Sequence, residues 1–204
     1  MSRTALLESL ADYADRYPLE GAVVSRIAAL VRGHPDCFER SCRPGHVTGS
    51  AWVVSRDFRS CLLVHHRKLG RWLQPGGHAD GEAEVAAVAL REAREESGLT
   101  GLELAPLRDG RGNPAPLDVD VHVIPARYGP DGRLTEDAHE HHDLRFLVVG
   151  DAAEPPRASA ESHAVRWFAL DEAAALAGEE SVVRMLRKAE SWRARGVLDR
   201  PSEP

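Results

Sequence analysis

Residues 91–99 read Arg91-Glu92-Ala93-Arg94-Glu95-Glu96-Ser97-Gly98-Leu99. Three glutamates fall within five positions, and like charges that close on a helix repel one another. On a helix at 100° per residue, Glu96 lies about 40° to one side of Glu92 and Glu95 about 60° to the other, so three carboxylates share an arc of roughly 100°. Ala86, Ala89, Leu90 and Ala93 fall on another arc, where small side chains let a helix sit close to a sheet. Two readings compete. One is a solvated face with Arg91 and Arg94 as salt partners; the other is a cluster completed by a hard divalent cation, which takes oxygen ligands. Gly76-Gly77 ahead of the segment permits close backbone approach to a ligand or metal. Gly98 is placed to end the helix just after Glu96.

Outward from this helix, expected over 83–97, the chain changes texture several times. Residues 4–16 and 20–32 carry apolar side chains at helical spacing and are separated by Pro18, which predicts an N-terminal helical pair. Ala51–Val54 and Cys61–Val64 read as strands, with Arg71–Leu73 as a short third that Pro75-Gly76-Gly77 stops. Leu102–Leu104, Val119–Ile124, Leu144–Val149 and Ala164–Phe168 are strand-like, and 171–177 and 181–193 helical. Loops rich in Gly, Pro and charge are expected at 107–116, 127–143 and 150–160. This order predicts one mixed α/β (α+β) domain over 41–195, with a helical extension at 1–40 and a frayed tail at 196–204. The helical pair covers the sheet, caps a pocket or forms a homodimer contact; the sequence leaves the three open.

With 26 Lys and Arg against 32 Asp and Glu, the formal charge is -6, which argues against a nucleic-acid coat. A small anionic ligand stays in reach, because a bound divalent metal reverses the sign of a local site. No run of 18 apolar residues predicts a membrane span, and the first residues do not read as a secretory signal. Cys37, Cys42 and Cys61 form no disulfide framework, which fits a reducing cytoplasm.

Gly77, then Glu82 or Glu84, then Arg91 through Leu99 resemble the Nudix box: Gly, five residues, Glu, seven residues, then Arg-Glu-apolar-x-Glu-Glu-x-Gly-apolar. The last nine positions match in full. The upstream acid does not, because its place falls on Ala83, with Glu82 and Glu84 on either side; in the family this acid holds the box arginine. On a continuous helix Glu84 lies about 20° from Arg91, two turns earlier. The resemblance implies an α/β/α sandwich with a mixed sheet and a central catalytic helix. It also implies hydrolysis of a diphosphate linkage in a nucleoside diphosphate derivative, by water attack at phosphorus. Glu92, Glu95 and Glu96 would then bind Mg²⁺ or Mn²⁺, with backbone near Gly77 completing the shell, and Arg91 would orient Glu92. Glu92, Glu161 and Glu140 are candidates for the general base.

Other residues are weighed beside the box. Arg67 and Lys68 suit phosphate contacts or an ordinary solvent-facing turn. His78, next to the glycine pair, is a candidate substrate contact. Trp52 stacks on a base or fills the core. His139, His141 and His142 read as incidental histidines at the end of a charged loop. His34, Cys37, Cys42 and His46 form a conceivable zinc set, although the spacing matches no common zinc pattern. Two further classes share the implied fold. An isopentenyl-diphosphate isomerase needs a cysteine in the loop before the helix, and residues 74–81 have none. A non-catalytic nucleotide-binding or regulatory module often lacks box acids, and all three are present.

Overall fold

The computed structural model describes residues 2–160, 162–177 and 180–195. It opens on α1 (Arg3–Arg16) and α2 (Gly21–Gly33), parted by a short 3-10 turn that begins at Pro18. Four strands follow: β1 (Gly45–Ser55), β2 (Ser60–His66), β3 (Arg71–Leu73) and β4 (Gly76–His78). Helix α3 (Val85–Ser97) comes next. Six strands complete the set: β5 (Glu103–Leu104), β6 (Asp118–Ile124), β7 (Arg127–Tyr128), β8 (Leu134–Glu136), β9 (His139–Gly150) and β10 (Ser162–Ala169). The last described elements are α4 (Leu170–Ala177) and α5 (Glu180–Ala194).

The main sheet runs β10-β2-β1-β9-β5, with β3 paired to β2, β4 to β1 and β6 to β9. It is mixed, as expected. β1 and β9 run parallel from Gly45↔Glu140 to Ser55↔Gly150, while β2 and β4 pair antiparallel with β1 and β6 with β9.

Helices cover both faces. On one, Val85, Ala86, Val88, Ala89 and Ala93 of α3 pack in a single cluster with Val47, Ala51, Val53, Phe146 and Val148. Leu6, Leu10, Ile27 and Val31 of α1 and α2 join the same cluster. On the other face, Trp52, Val54, Leu63 and Leu147 meet Val182, Met185 and Leu186 of α5. Each fully buried Val, Leu or Met side chain contributes about 1.5–3 kcal/mol. Trp52 is fully buried there, which makes it a core residue. No helix among the described residues is long and apolar enough to cross a membrane.

Three expectations change. Gly76-Gly77 does not end the strand region: Gly76–His78 forms β4 and pairs with Thr48–Ser50. The expected loop at 127–143 contains the β7–β8 hairpin and the first residues of β9, so His139, His141 and His142 are strand residues. Polar side chains alternate there, and a search for apolar alternation passes over them. The central helix begins at Val85, with Glu84 as its N-cap.

Candidate active site

Helix α3 is amphipathic in the expected sense, but its three glutamates are not equivalent. Glu92 and Glu96, four residues and so about one turn apart, both point at β4. A Cβ on Gly77 would meet the Glu92 carboxylate at 2.5 Å. The backbone N–H of Gly76 donates to Glu96 Oε2 at 3.1 Å, and Glu96 is buried. Glu95 stands at the rim, its side chain 60% exposed against 16% for Glu92. Gly98 ends the helix with φ 67°, in the left-handed region that glycine adopts without strain.

Arg91 gathers the acids. Its Nη1 donates to Glu92 Oε1 at 2.7 Å and lies 3.5 Å from Glu95 Oε2. Its Nη2 reaches the His78 carbonyl at 3.4 Å, and its Nε lies 3.8 Å from Glu82 Oε2. Glu82, from the turn ahead of the helix, therefore comes to Arg91. The helical projection that favoured Glu84 does not apply, because Glu84 has left helical geometry at the N-cap.

The remaining expected residues lie elsewhere. Arg67 and Lys68 sit on the exposed β2–β3 turn, where Arg67 donates to the Ser162 carbonyl at 3.4 Å. Glu140 is taken up by Arg26 at 2.6 Å and His142 at 3.2 Å. Glu161 falls outside the described residues. Cys61 is fully buried and burial pushes its thiol up to about 12, which is not the reactive cysteine an isomerase requires. The conceivable zinc set divides: His34 groups with Asp36 and Cys42, His46 groups with His78 and His141, and Cys37 belongs to the hydrophobic core.

Sequence reasoning missed a polar ladder on the α5 side of the sheet. Strand register places Asp118, Arg145 and Ser50 in one row, Asp120, Asp143 and Thr48 in the next, and His122, His141 and His46 in the third. Arg145 donates to Asp143 at 2.9 Å, Asp118 at 3.1 Å and Asp120 at 2.7 Å. Asp143 also accepts from Thr48 and Ser50. Arg184 and Lys188 of α5 close on Asp118, each at 2.7 Å. Burial alone pushes the Asp118 carboxyl up, but the Arg184 bond and the charges of Arg145 and Lys188 outweigh it and hold it below the usual range. The signal was present as a period of two in Asp118-x-Asp120-x-His122 and His139-x-His141-x-Asp143-x-Arg145.

His78 belongs to this second face. Consecutive strand residues point to opposite faces, so Gly77 opens toward α3 while the His78 ring lies 5.1 Å from that of His46 and 5.0 Å from that of His141.

A model of the NUDIX domain family matches residues 46–189. The CMP-5'-(N-acetyl-N-hydroxy-3-aminopropyl)phosphonate hydrolase of Streptomyces rubellomurinus is 30% identical over 135 residues, which cover 63% of this chain and 54% of that protein. The chain thus matches about half the length of that relative. Among solved structures, a NUDIX-family hydrolase from Clostridium perfringens matches with a TM-score of 0.54 at 19% identity, over 72% of this chain and 97% of that one. The Ap4A hydrolase of C. elegans, solved as a binary complex, matches with a TM-score of 0.50 at 17% identity, over 73% and 98%. At these identities the two structures speak for the fold.

Proposed function

The chain belongs to the NUDIX domain family, and from that premise we propose that it is a metal-dependent hydrolase. Its substrate class is a nucleoside diphosphate derivative, cleaved at the diphosphate linkage by water attack at phosphorus. The observation that carries this reading is the convergence of Glu92 and Glu96 on the Gly76-Gly77 backbone, with Arg91 bound across Glu92 and Glu95.

The donor set fits Mg²⁺ or Mn²⁺. Its groups are carboxylate and backbone oxygens, and the absence of a side chain at Gly77 lets the Glu92 carboxylate lie directly against the β4 backbone. Glu92, Glu95 and Glu96 would hold the ion, with backbone near Gly77. When bound, such a cation supplies positive charge against the diphosphate and acidifies water.

The chain's own residues do the rest. Arg91 is a positioning residue: its 2.7 Å bond to one oxygen orients the Glu92 carboxylate, the candidate acceptor for the proton of the attacking water. The new P–O bond forms in line with the bridging P–O bond that breaks, and the leaving phosphate carries away the electron pair. Three buried, unpaired cysteines support a reducing, cytoplasmic setting.

The test is release of phosphate or nucleotide from a panel with Mg²⁺ or Mn²⁺. The panel holds a nucleoside triphosphate, a nucleotide sugar, a dinucleoside polyphosphate and a CMP-linked phosphonate, the last two chosen after the similar proteins. Wild type releases product in a metal-dependent way, and Glu95→Gln and Glu96→Gln lose activity, Glu96→Gln by about 10²-fold or more. No release by folded, metal-binding protein across the panel would favour a non-catalytic nucleotide-binding module.

A further inference from the structure

Five histidines from four strands crowd one end of the polar face. His46 lies on β1, His78 on β4, His122 on β6, and His139 and His141 on β9. Ring centroids separate by 4.9 Å for His46–His141, 5.0 Å for His78–His141 and 5.3 Å for His122–His141. One donor atom each from His46, His78 and His141 lies within 4.8 Å of the other two.

A buried imidazole ordinarily satisfies its nitrogens, and leaving one unpaired costs roughly 1–3 kcal/mol. His46 is 1% exposed, and among the described residues neither of its ring nitrogens finds a hydrogen-bond partner; Nε2 of His141 finds none either. These nitrogens face other imidazoles. His139 differs, because its Nδ1 contacts the Asp137 carbonyl at 2.9 Å. A neutral imidazole keeps on one nitrogen the lone pair that a metal takes.

We infer that His46, His78 and His141 form a second metal site, for a borderline divalent cation of the Zn²⁺ class, on the sheet face opposite α3. Imidazole nitrogens select such ions over Mg²⁺, which takes oxygen. Three histidines with an open fourth position are a familiar zinc donor set. Tetrahedral ligation at ~2.0–2.1 Å sets the nitrogens about 3.4 Å apart, so the rings close by up to roughly 1.4 Å on the ion. Glu136 brings a carboxylate to 3.8 Å from Nε2 of His139, whose ring lies 5.0 Å from that of His46. The bland alternative, a polar layer wetted by water, leaves the same nitrogens satisfied without an ion.

The experiment titrates Co²⁺ into metal-free full-length protein in excess Mg²⁺ and follows the visible bands of tetrahedral cobalt, with zinc content of the purified protein as a second readout. One equivalent binds to wild type and to Glu96→Gln. In His141→Gln and His78→Gln, affinity falls by at least about 100-fold, beyond the range set by outer-sphere partners, while circular dichroism and the melting profile show folded protein. His78 is half-buried, so its variant keeps the test open if His141→Gln fails to fold. Three results would overturn the site: no cobalt bands or stoichiometric zinc in folded wild type, unchanged binding in both histidine variants, or binding lost in Glu96→Gln alone. None of them bears on hydrolysis at the glutamates, which the substrate panel tests separately.

Discussion

The Glu92 carboxylate occupies the space that any side chain on Gly77 would need: a Cβ there would stand 2.5 Å from it. Glycine at this position is what lets the end of the Glu92 side chain lie against β4. Gly77→Ala forces Glu92 or β4 to move by about an ångström. Displacements of that size in a reacting site cost on the order of 10²-fold. Steady-state kinetics on the best panel substrate should show that loss in kcat with little change in melting temperature.

Arg91 reads out which upstream acid supports it. Its Nε lies 3.8 Å from Glu82, while Glu84 sits at the helix N-cap. Glu82→Gln should therefore lower activity by about 10-fold, the low end for residues that orient metal ligands. An unchanged rate in that variant would remove Glu82 from the supporting role.

Cation binding at the box should register as stability as well as activity. A ligand that binds only the folded state adds about 2.7 kcal/mol at 100 times its Kd. Chelation should abolish product release and lower the melting temperature, and Mg²⁺ or Mn²⁺ should restore both. Glu96→Gln should shrink the thermal shift.

Asp118 gives a pH signature. Its folded pKa lies below its ordinary 3.8, so folding favours the ionised form. That contribution is fully present above the unfolded value and is lost as pH falls through the folded one. Urea titrations at pH 7 and at steps below pH ~4 should show wild type losing it. Asp118→Asn should be less stable at pH 7 by about 3–5 kcal/mol, since Arg145 and Lys188 lose a buried partner. Its further decline in acid should be shallower; an acid limb as steep as that of wild type would remove Asp118 from it.

Helix α3 was legible because its signals are local. Alanine spacing, three glutamates and Gly98 lie within a few turns of one another, and the structure forms a helix there that ends at Gly98. Elements defined by distant partners were not. β4 is three residues of Gly-Gly-His, with no apolar pattern of its own, and exists because Thr48–Ser50 offers it an edge. The first residues of β9 carry His139, His141 and Asp143, which read as loop until β1 and β6 flank them with matching polar rows. His46, grouped with nearby cysteines by sequence distance, joins His78 and His141 only through strand register.

The parallel pairing of β1 with β9 also governs how the chain finds its fold. Thr48 and Asp143 stand 95 residues apart and meet at 2.9 Å. Closing so long a loop before any local reward makes this seam a slow step in folding. The polar rows then act as a key. A slip of one residue would turn Asp143 and Arg145 toward the packed face under α3, where their charges have no partners. A slip of two would keep the face but part Asp143 from Thr48 and set it in another row. Misaligned seams are thus costly to keep, and the rows hold the chain to one register while its two halves search for each other.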